Sequence, residues 1–131
     1  MMRSLSFCLS GLAFLALGLG CASKAPPKIS FGSPEETFAS WKSSVERLDT
    51  DALISCYAQA SRDGMRDEIR STSQDGLKAM QRETKETKFE IEKVVYEGHR
   101  AFLRVQRSYK GARDIEVINM ILENGGWRLV P

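Results

Sequence analysis

The stretch from Thr87 to Pro131 reads TKFEIEKVVYEGHRAFLRVQRSYKGARDIEVINMILENGGWRLVP, and it decides the fold. Short turns containing Gly or Asn, at 97–100, 110–112 and 124–126, separate four runs with strand composition. Links this short can join only antiparallel neighbours, so the stretch predicts an antiparallel meander sheet of about four strands. The runs are rich in β-branched, aromatic and aliphatic residues, and they are Phe89–Tyr96, Ala101–Tyr109, Ile115–Leu122 and Trp127–Val130.

The residues before the sheet predict helices. Residues 33–36, Ser-Pro-Glu-Glu, form a helix start with a capping box. Apolar residues then recur at spacings of three and four, which predicts a helix over 34–48. The residues of this stripe are Phe38, Trp41, Val45 and Leu48. Asp49 or Thr50 caps a second, helix-like run over 51–60.

The region between the second helix and the sheet gives weaker signals. Residues 61–73 have no clear helical pattern, whereas Ser73 starts a helical piece that should continue to Glu83. Residues 82–88 alternate in charge and read as a solvated link. Because the helices precede the strands, the chain is predicted to be α+β, with helices packed on one face of a curved meander sheet.

Length and charge limit the function classes. The chain has 131 residues, which suffices for one domain, and its formal net charge is +2. This balance favours neither a nucleic acid nor an acidic partner. Metal-ligand spacings, nucleotide-binding loops and Ser–His arrangements are absent from the sequence, so no cofactor and no metal are expected.

The first twenty residues read as an export signal. Arg3 gives a positive start, and a nearly uncharged run from Leu5 to Leu19 follows. The run ends in Leu-Gly-Leu-Gly at 17–20 and then Cys21, which resembles the lipobox of bacterial lipoproteins, with Gly18 where that motif prefers Leu. The resemblance implies cleavage before Cys21 and acylation of that residue. The alternatives are a secreted protein cut near Ala22 and a leader that is never cut.

The lipoprotein resemblance also implies a location. Lipidated Cys21 would anchor the chain in a membrane, since two or more acyl chains bind stably. Ala22 is not the Asp that retains such proteins in the inner membrane, which implies the periplasmic side of the outer membrane. The predicted organisation is a signal peptide over 1–20, a lipidated Cys and flexible tether over 21–32, and one domain over 33–131.

The element order carries a second resemblance. A helix that opens with Ser-Pro-Glu-Glu at 33–36 and a meander that ends with Gly-Gly-Trp-Arg-Leu-Val at 125–130 are similar to the nuclear transport factor 2-like, or cystatin-like, domains of small bacterial lipoproteins. That fold implies a long helix lying in the concavity of a curved sheet, beside a conical cavity. The superfold includes enzymes, ligand binders and interaction modules, so it does not specify a function.

Candidate residues for the cavity follow from the strand pattern. The odd positions of the second strand form its better core face, which points Leu103, Arg107 and Tyr109 inward. A three-residue turn after this strand would place Asn119 inside and would turn Asp114 and Glu116 outward, while the other register would bury Ile118, Met120 and Leu122. Lys93 would be awkward inside the sheet, which predicts a bulge. The possible cavity-lining set is Trp41, Tyr57, Leu103, Arg107, Tyr109 and Asn119.

These residues favour binding over catalysis. No carboxylate takes an inward position in the preferred register, His99 lies in a turn, and Cys56 reads as a buried hydrophobe. The leading hypothesis is a lipid-anchored, non-catalytic envelope domain that binds a small ligand or a partner protein. An isomerase-like or hydrolase-like enzyme using the cone is one alternative. A homodimer through the open sheet face, with a row of Phe102, Ile118 and Met120, is the other.

Overall fold

The computed structural model describes residues 29–131, so the predicted leader and Cys21 lie outside the described residues. Within these described residues, four α-helices come first, and four strands follow them. The helices are α1 (Pro34–Arg47), α2 (Thr50–Ser55), α3 (Arg62–Ser71) and α4 (Gln74–Glu86), with a short 3₁₀ turn at Gln59–Ser61. The strands are β1 (Lys88–Glu97), β2 (Arg100–Tyr109), β3 (Ala112–Glu123) and β4 (Gly126–Val130).

The strands form one sheet in the order β1-β2-β3-β4, and every neighbouring pair is antiparallel. Helix α1 packs against β2 and β4, and α4 packs against α1. The prediction of an α+β domain with helices followed by a four-stranded antiparallel meander is therefore confirmed.

Side-chain caps fix three of the helix starts. The Ser33 Oγ accepts a hydrogen bond from the Glu36 backbone N at 3.1 Å, and the Asp49 Oδ1 accepts one from the Ala52 N at 3.1 Å. Ser73 caps α4 in the same way. These caps satisfy backbone N–H groups that have no partner inside the helix, which is why the predicted starts are confirmed.

Two predicted helix ends are wrong. The second helix ends at Ser55 and does not reach residue 60, because residues 56–58 leave the helix to run beside β4. Helix α4 continues to Glu86, so most of the predicted solvated link is helical. Its one buried residue, Thr84, holds this last part of α4 against the domain.

The core lies between α1 and the middle of the sheet. Ala101, Leu103 and Val105 of β2 are fully buried, which confirms the odd face of β2 as the core face. Met120 of β3 lies beside them with 1% of its surface exposed. Phe38, Cys56, Trp127 and Leu129 complete the same cluster.

The preferred register of β3 is wrong. Arg107 pairs with Asp114, and Tyr109 pairs with Ala112, so the connecting loop contains only Lys110 and Gly111. Both loop residues have positive φ, 48° and 83°, which is the requirement of a two-residue type I′ hairpin. A loop one residue shorter than predicted moves every side chain of β3 to the opposite face. Asp114, Glu116, Ile118, Met120 and Leu122 therefore share the helix-facing side with Arg107.

The predicted bulge in β1 is confirmed. The pairing of β1 with β2 shifts between Ile91 and Lys93. Beyond the bulge, Lys93 pairs with Arg104 on the outer face of the sheet. The bulge thus keeps the Lys93 ammonium group out of the core.

The outer edge of β4 is covered by segments from the start of the domain. The Trp127 N donates to the Phe31 carbonyl O at 2.9 Å, and the Leu129 N donates to the Cys56 carbonyl O at 2.8 Å. The Ala58 N donates back to the Leu129 O at 2.9 Å. Contacts of the domain thus begin before Ser33, within the residues predicted to be tether.

The outer face of the sheet differs from the predicted apolar row. Phe102 lies on it, but Ile118 and Met120 lie on the helix-facing side, as the register of β3 requires. The exposed apolar side chains of the outer face include Val95 at 38% exposure and Val117 at 56%.

Candidate binding cavity

A cavity of about 650 Å³ lies between the helices and one end of the sheet. Strand β4 pairs only with residues 119–123 of β3, so residues 112–118 of β3 extend beyond it with β2 as their strand neighbour. The cavity is the space between this extension of β3 and helices α1 and α4. The lining residues on the helices and β1 are Phe38, Trp41, Met80, Glu83, Thr84 and Phe89. Those on β2 and β3 include Arg107, Tyr109, Ala112, Arg113, Asp114, Glu116 and Ile118.

One wall of the cavity is aromatic. Phe38 and Trp41 lie three residues apart on α1, so they share a helix face, and their rings stack at 5.6 Å between centroids. Phe89 of β1 meets both rings edge-on, at 5.4 Å from Phe38 and 6.1 Å from Trp41. Such edge-on and stacked pairs are favoured arrangements, so the wall is held in a defined shape.

The sheet side of the cavity also carries an ionic cluster, in which Arg107 is the direct cross-strand neighbour of Phe89. The Arg107 Nη2 and Nε donate to the two carboxylate oxygens of Asp114, at 2.7 and 3.1 Å. The Arg107 Nη1 lies 3.3 Å from the Glu116 Oε1. The hydrogen bond from Arg107 lowers the pKa of Asp114, and the same bond raises the pKa of Arg107. The guanidinium is thus engaged by two carboxylates at once.

Tyr57 lies where the segment after α2 runs beside β4. Burial raises the pKa of the Tyr57 hydroxyl, and a hydrogen bond with the Trp41 side chain lowers it by less. The negative charges of Glu68 and Glu116 raise this pKa further. Tyr57 therefore stays protonated at neutral pH and can donate a hydrogen bond. The Lys110 ammonium lies 5.3 Å from the centre of the other tyrosine in the lining, Tyr109.

The structure brings together most of the residues that the sequence singled out. Trp41, Tyr57, Arg107 and Tyr109 all line the cavity. Asn119 pairs with Val130, on the face opposite to the predicted one, and it contributes to the lining where β3 passes the end of β4. Leu103 is fully buried in the core and is absent from the lining.

Sequence reasoning missed the two carboxylates that bind Arg107. The signal that could have found Asp114 and Glu116 was the Lys-Gly pair at 110–111, which suits a two-residue loop. It also missed Met80 and Glu83, because their part in the lining depends on how α4 packs against α1.

Cys56 and His99 lie outside the lining of the cavity. Cys56 is fully buried, and burial raises the pKa of its thiol to about 11, so the thiolate is scarce at neutral pH. Its Sγ donates to the Ala52 carbonyl O at 3.4 Å. His99 lies in the exposed turn between β1 and β2 and takes no part in the lining.

Residues 29–131 contain no group of three or more His, Cys, Asp or Glu side chains placed to hold a metal ion. Within the same residues, none of the helices has the length and apolar character needed to cross a membrane.

No protein-family model matches the chain, and the search of curated proteins gave no match.

Proposed function

We propose that this chain is a lipid-anchored cell-envelope protein whose nuclear transport factor 2-like domain binds a small ligand without chemical conversion. The observation that carries the proposal is the cavity of about 650 Å³, with an aromatic wall beside an ionic cluster. Ligand sites typically have roughly 300–1,000 Å³ and combine apolar walls with a few polar groups. The aromatic rings would hold an apolar body, and the polar groups would orient it.

The state of the titratable groups favours binding over catalysis. A general base must accept a proton near neutral pH, but the pKa of Asp114 is lowered by its hydrogen bond to Arg107. Glu116 is also paired with Arg107. The Tyr57 hydroxyl, with its raised pKa, is a weaker acid than an ordinary tyrosine. These groups suit recognition of a ligand better than proton transfer.

The location rests on the sequence. The leader, the lipobox-like residues before Cys21 and the polar stretch after it support a chain tethered to the membrane by lipid. Replacement of Cys21 by Ala should release the protein to the soluble fraction with its fold retained. A Cys21→Ala protein that stays firmly in membranes would contradict the anchor.

Ligand binding can be tested with a neutral fluorescent probe, N-phenyl-1-naphthylamine. Saturable binding to one site is expected, with enhanced probe emission. Met80→Trp should fill part of the cavity and weaken binding at least about tenfold, whereas Ala79→Trp adds the same ring on the same helix outside the lining. The proposal fails if the probe does not bind, or if it binds both variants and the wild type equally.

A further inference from the structure

We propose that the ligand of this cavity is an organic cation with an apolar body, of the alkylammonium class. This inference rests on the proposed binding function of the cavity and specifies the chemistry of what binds there. It is carried by the distribution of charge around the aromatic wall.

Acidic side chains outnumber basic ones in the lining. Glu83, Asp114 and Glu116 contribute three carboxylates, against the guanidinium groups of Arg107 and Arg113. Arg113 is paired with Ser108 of β2, and these two positions lie on the outer face of the sheet. The helix-facing part of the lining therefore carries a net negative charge.

Among the described lining residues, Arg107 is the one basic group on the helix-facing side of the sheet, and it is already paired with carboxylates. The Arg107 guanidinium donates to both oxygens of Asp114 and lies 3.3 Å from Glu116. An incoming anion would have to displace these carboxylates or bear their repulsion. An incoming cation meets two carboxylates whose combined charge exceeds that of the single guanidinium.

Glu83 adds a third carboxylate from the helical side. It lies on α4 and lines the cavity. The pKa of Arg107 is raised chiefly by its hydrogen bond to Asp114, and the negative charge of Glu83 makes the smallest contribution in the same direction. Among residues 29–131, Glu83 has no cationic side chain within ion-pair distance. Its charge is therefore available to a ligand.

The aromatic wall suits the same class of ligand. Apolar surface for an alkyl chain comes from the rings of Trp41, Phe38 and Phe89, which meet one another at defined angles. Aromatic faces attract ammonium groups through the ring quadrupole, most strongly at tryptophan.

The test compares three probes that share one alkyl chain: octyltrimethylammonium, octyl sulfate and 1-octanol. Binding is followed by isothermal titration calorimetry and by Trp fluorescence, and Trp41→Phe should remove most of the fluorescence response. Octyltrimethylammonium should bind at least about tenfold more tightly than octyl sulfate at low salt, and this preference should shrink as salt screens the carboxylates.

Single substitutions sharpen the test in both directions. Glu83→Gln and Glu116→Gln should each weaken octyltrimethylammonium binding by about threefold, whereas Glu86→Gln, at the end of the same helix and outside the lining, should have no effect. Arg107→Gln should strengthen binding by a similar factor, because it removes the cation that neutralises Asp114 and Glu116. An anion site built on Arg107 would respond in the opposite direction.

The outcomes separate this inference from the proposed function. If octanol or octyl sulfate binds as tightly as the ammonium probe, the cavity binds ligands but the cation class is wrong. Tighter octyl sulfate binding that Arg107→Gln abolishes would also overturn the cation class. If none of the three probes binds, the binding function of the cavity is contradicted as well.

Discussion

The two ends of the β2–β3 pair use the same strands for opposite purposes. At one end Leu103 and Met120, at 0% and 1% exposure, are packed under α1 and beside β4. At the other end Arg107, Asp114 and Glu116 face a cavity, and β4 is no longer present beside β3. The two ends differ because β4 is short and covers β3 at only one of them. A short last strand closes one half of the sheet into a core and leaves the other half lining the cavity.

The largest expected effect is at the core end. Leu103→Ala should lower the free energy of unfolding by about 2–5 kcal/mol, because it removes a fully buried side chain and leaves a cavity. Urea denaturation measures this change. Val117→Ala, on the outer face of the same strand pair, should cost less than about 0.5 kcal/mol. Equal effects of the two substitutions would show that the core end is not where the stability lies.

A smaller effect is expected where the helix layer is joined to β4. The buried Thr37 hydroxyl donates to the Trp127 carbonyl O at 2.9 Å. Thr37→Val keeps the shape and removes this bond, which should cost about 1 kcal/mol in urea denaturation. Thr72→Val is the matched control, since the exposed Thr72 hydroxyl donates to the Glu68 carbonyl O in the last turn of the helix that precedes it. A Thr72→Val cost as large as that of Thr37→Val would remove the distinction between buried and exposed bonds.

The smallest effect on stability is expected at the cavity end and depends on pH. Arg107 lowers the folded-state pKa of Asp114, so the pair stabilises the fold above the unfolded pKa of about 4, and this contribution is lost as the pH falls through the folded value. The stability difference between wild type and Arg107→Gln should therefore be larger at pH 7 than in strong acid. Carboxyl NMR should show a higher pKa of Asp114 in the variant. An unchanged pKa would contradict the ion pair in solution.

The strands could be predicted from the sequence, but the register of β3 could not be read from the composition of that strand alone. Composition and turn residues located all four strands because β-branched runs and Gly-containing loops are local signals. The composition of β3 itself did not reveal its register, because Ile115, Val117 and Ile121 on one face are as apolar as Ile118 and Met120 on the other. Hydrophobic alternation therefore could not choose between the faces, and the length of the preceding loop decided it.

The cavity residues divide in a similar way, into those that the local sequence pattern predicts and those that depend on tertiary packing. Arg107 and Tyr109 could be placed on the inner face because they continue the pattern of a strand whose first half is clearly core. Glu83 could not, since the sequence around it reads as a solvated link. Its position follows from the packing of α4 against α1, which joins residues that are far apart in the chain.

The coverage of the β4 edge has a consequence for the order of folding. Phe31 and residues 56–58 cannot form their backbone hydrogen bonds to β4 until that strand has been synthesised. Strand β4 comes after every helix and every other strand of the domain. The hydrogen bond from Thr37 to Trp127 spans 90 residues, which the ribosome takes roughly 5–18 s to add. Until then α1 lacks β4, one of the two strands that it packs on. The contacts between the helices and the sheet therefore cannot be completed before the last strand is made, which favours late closure of the domain.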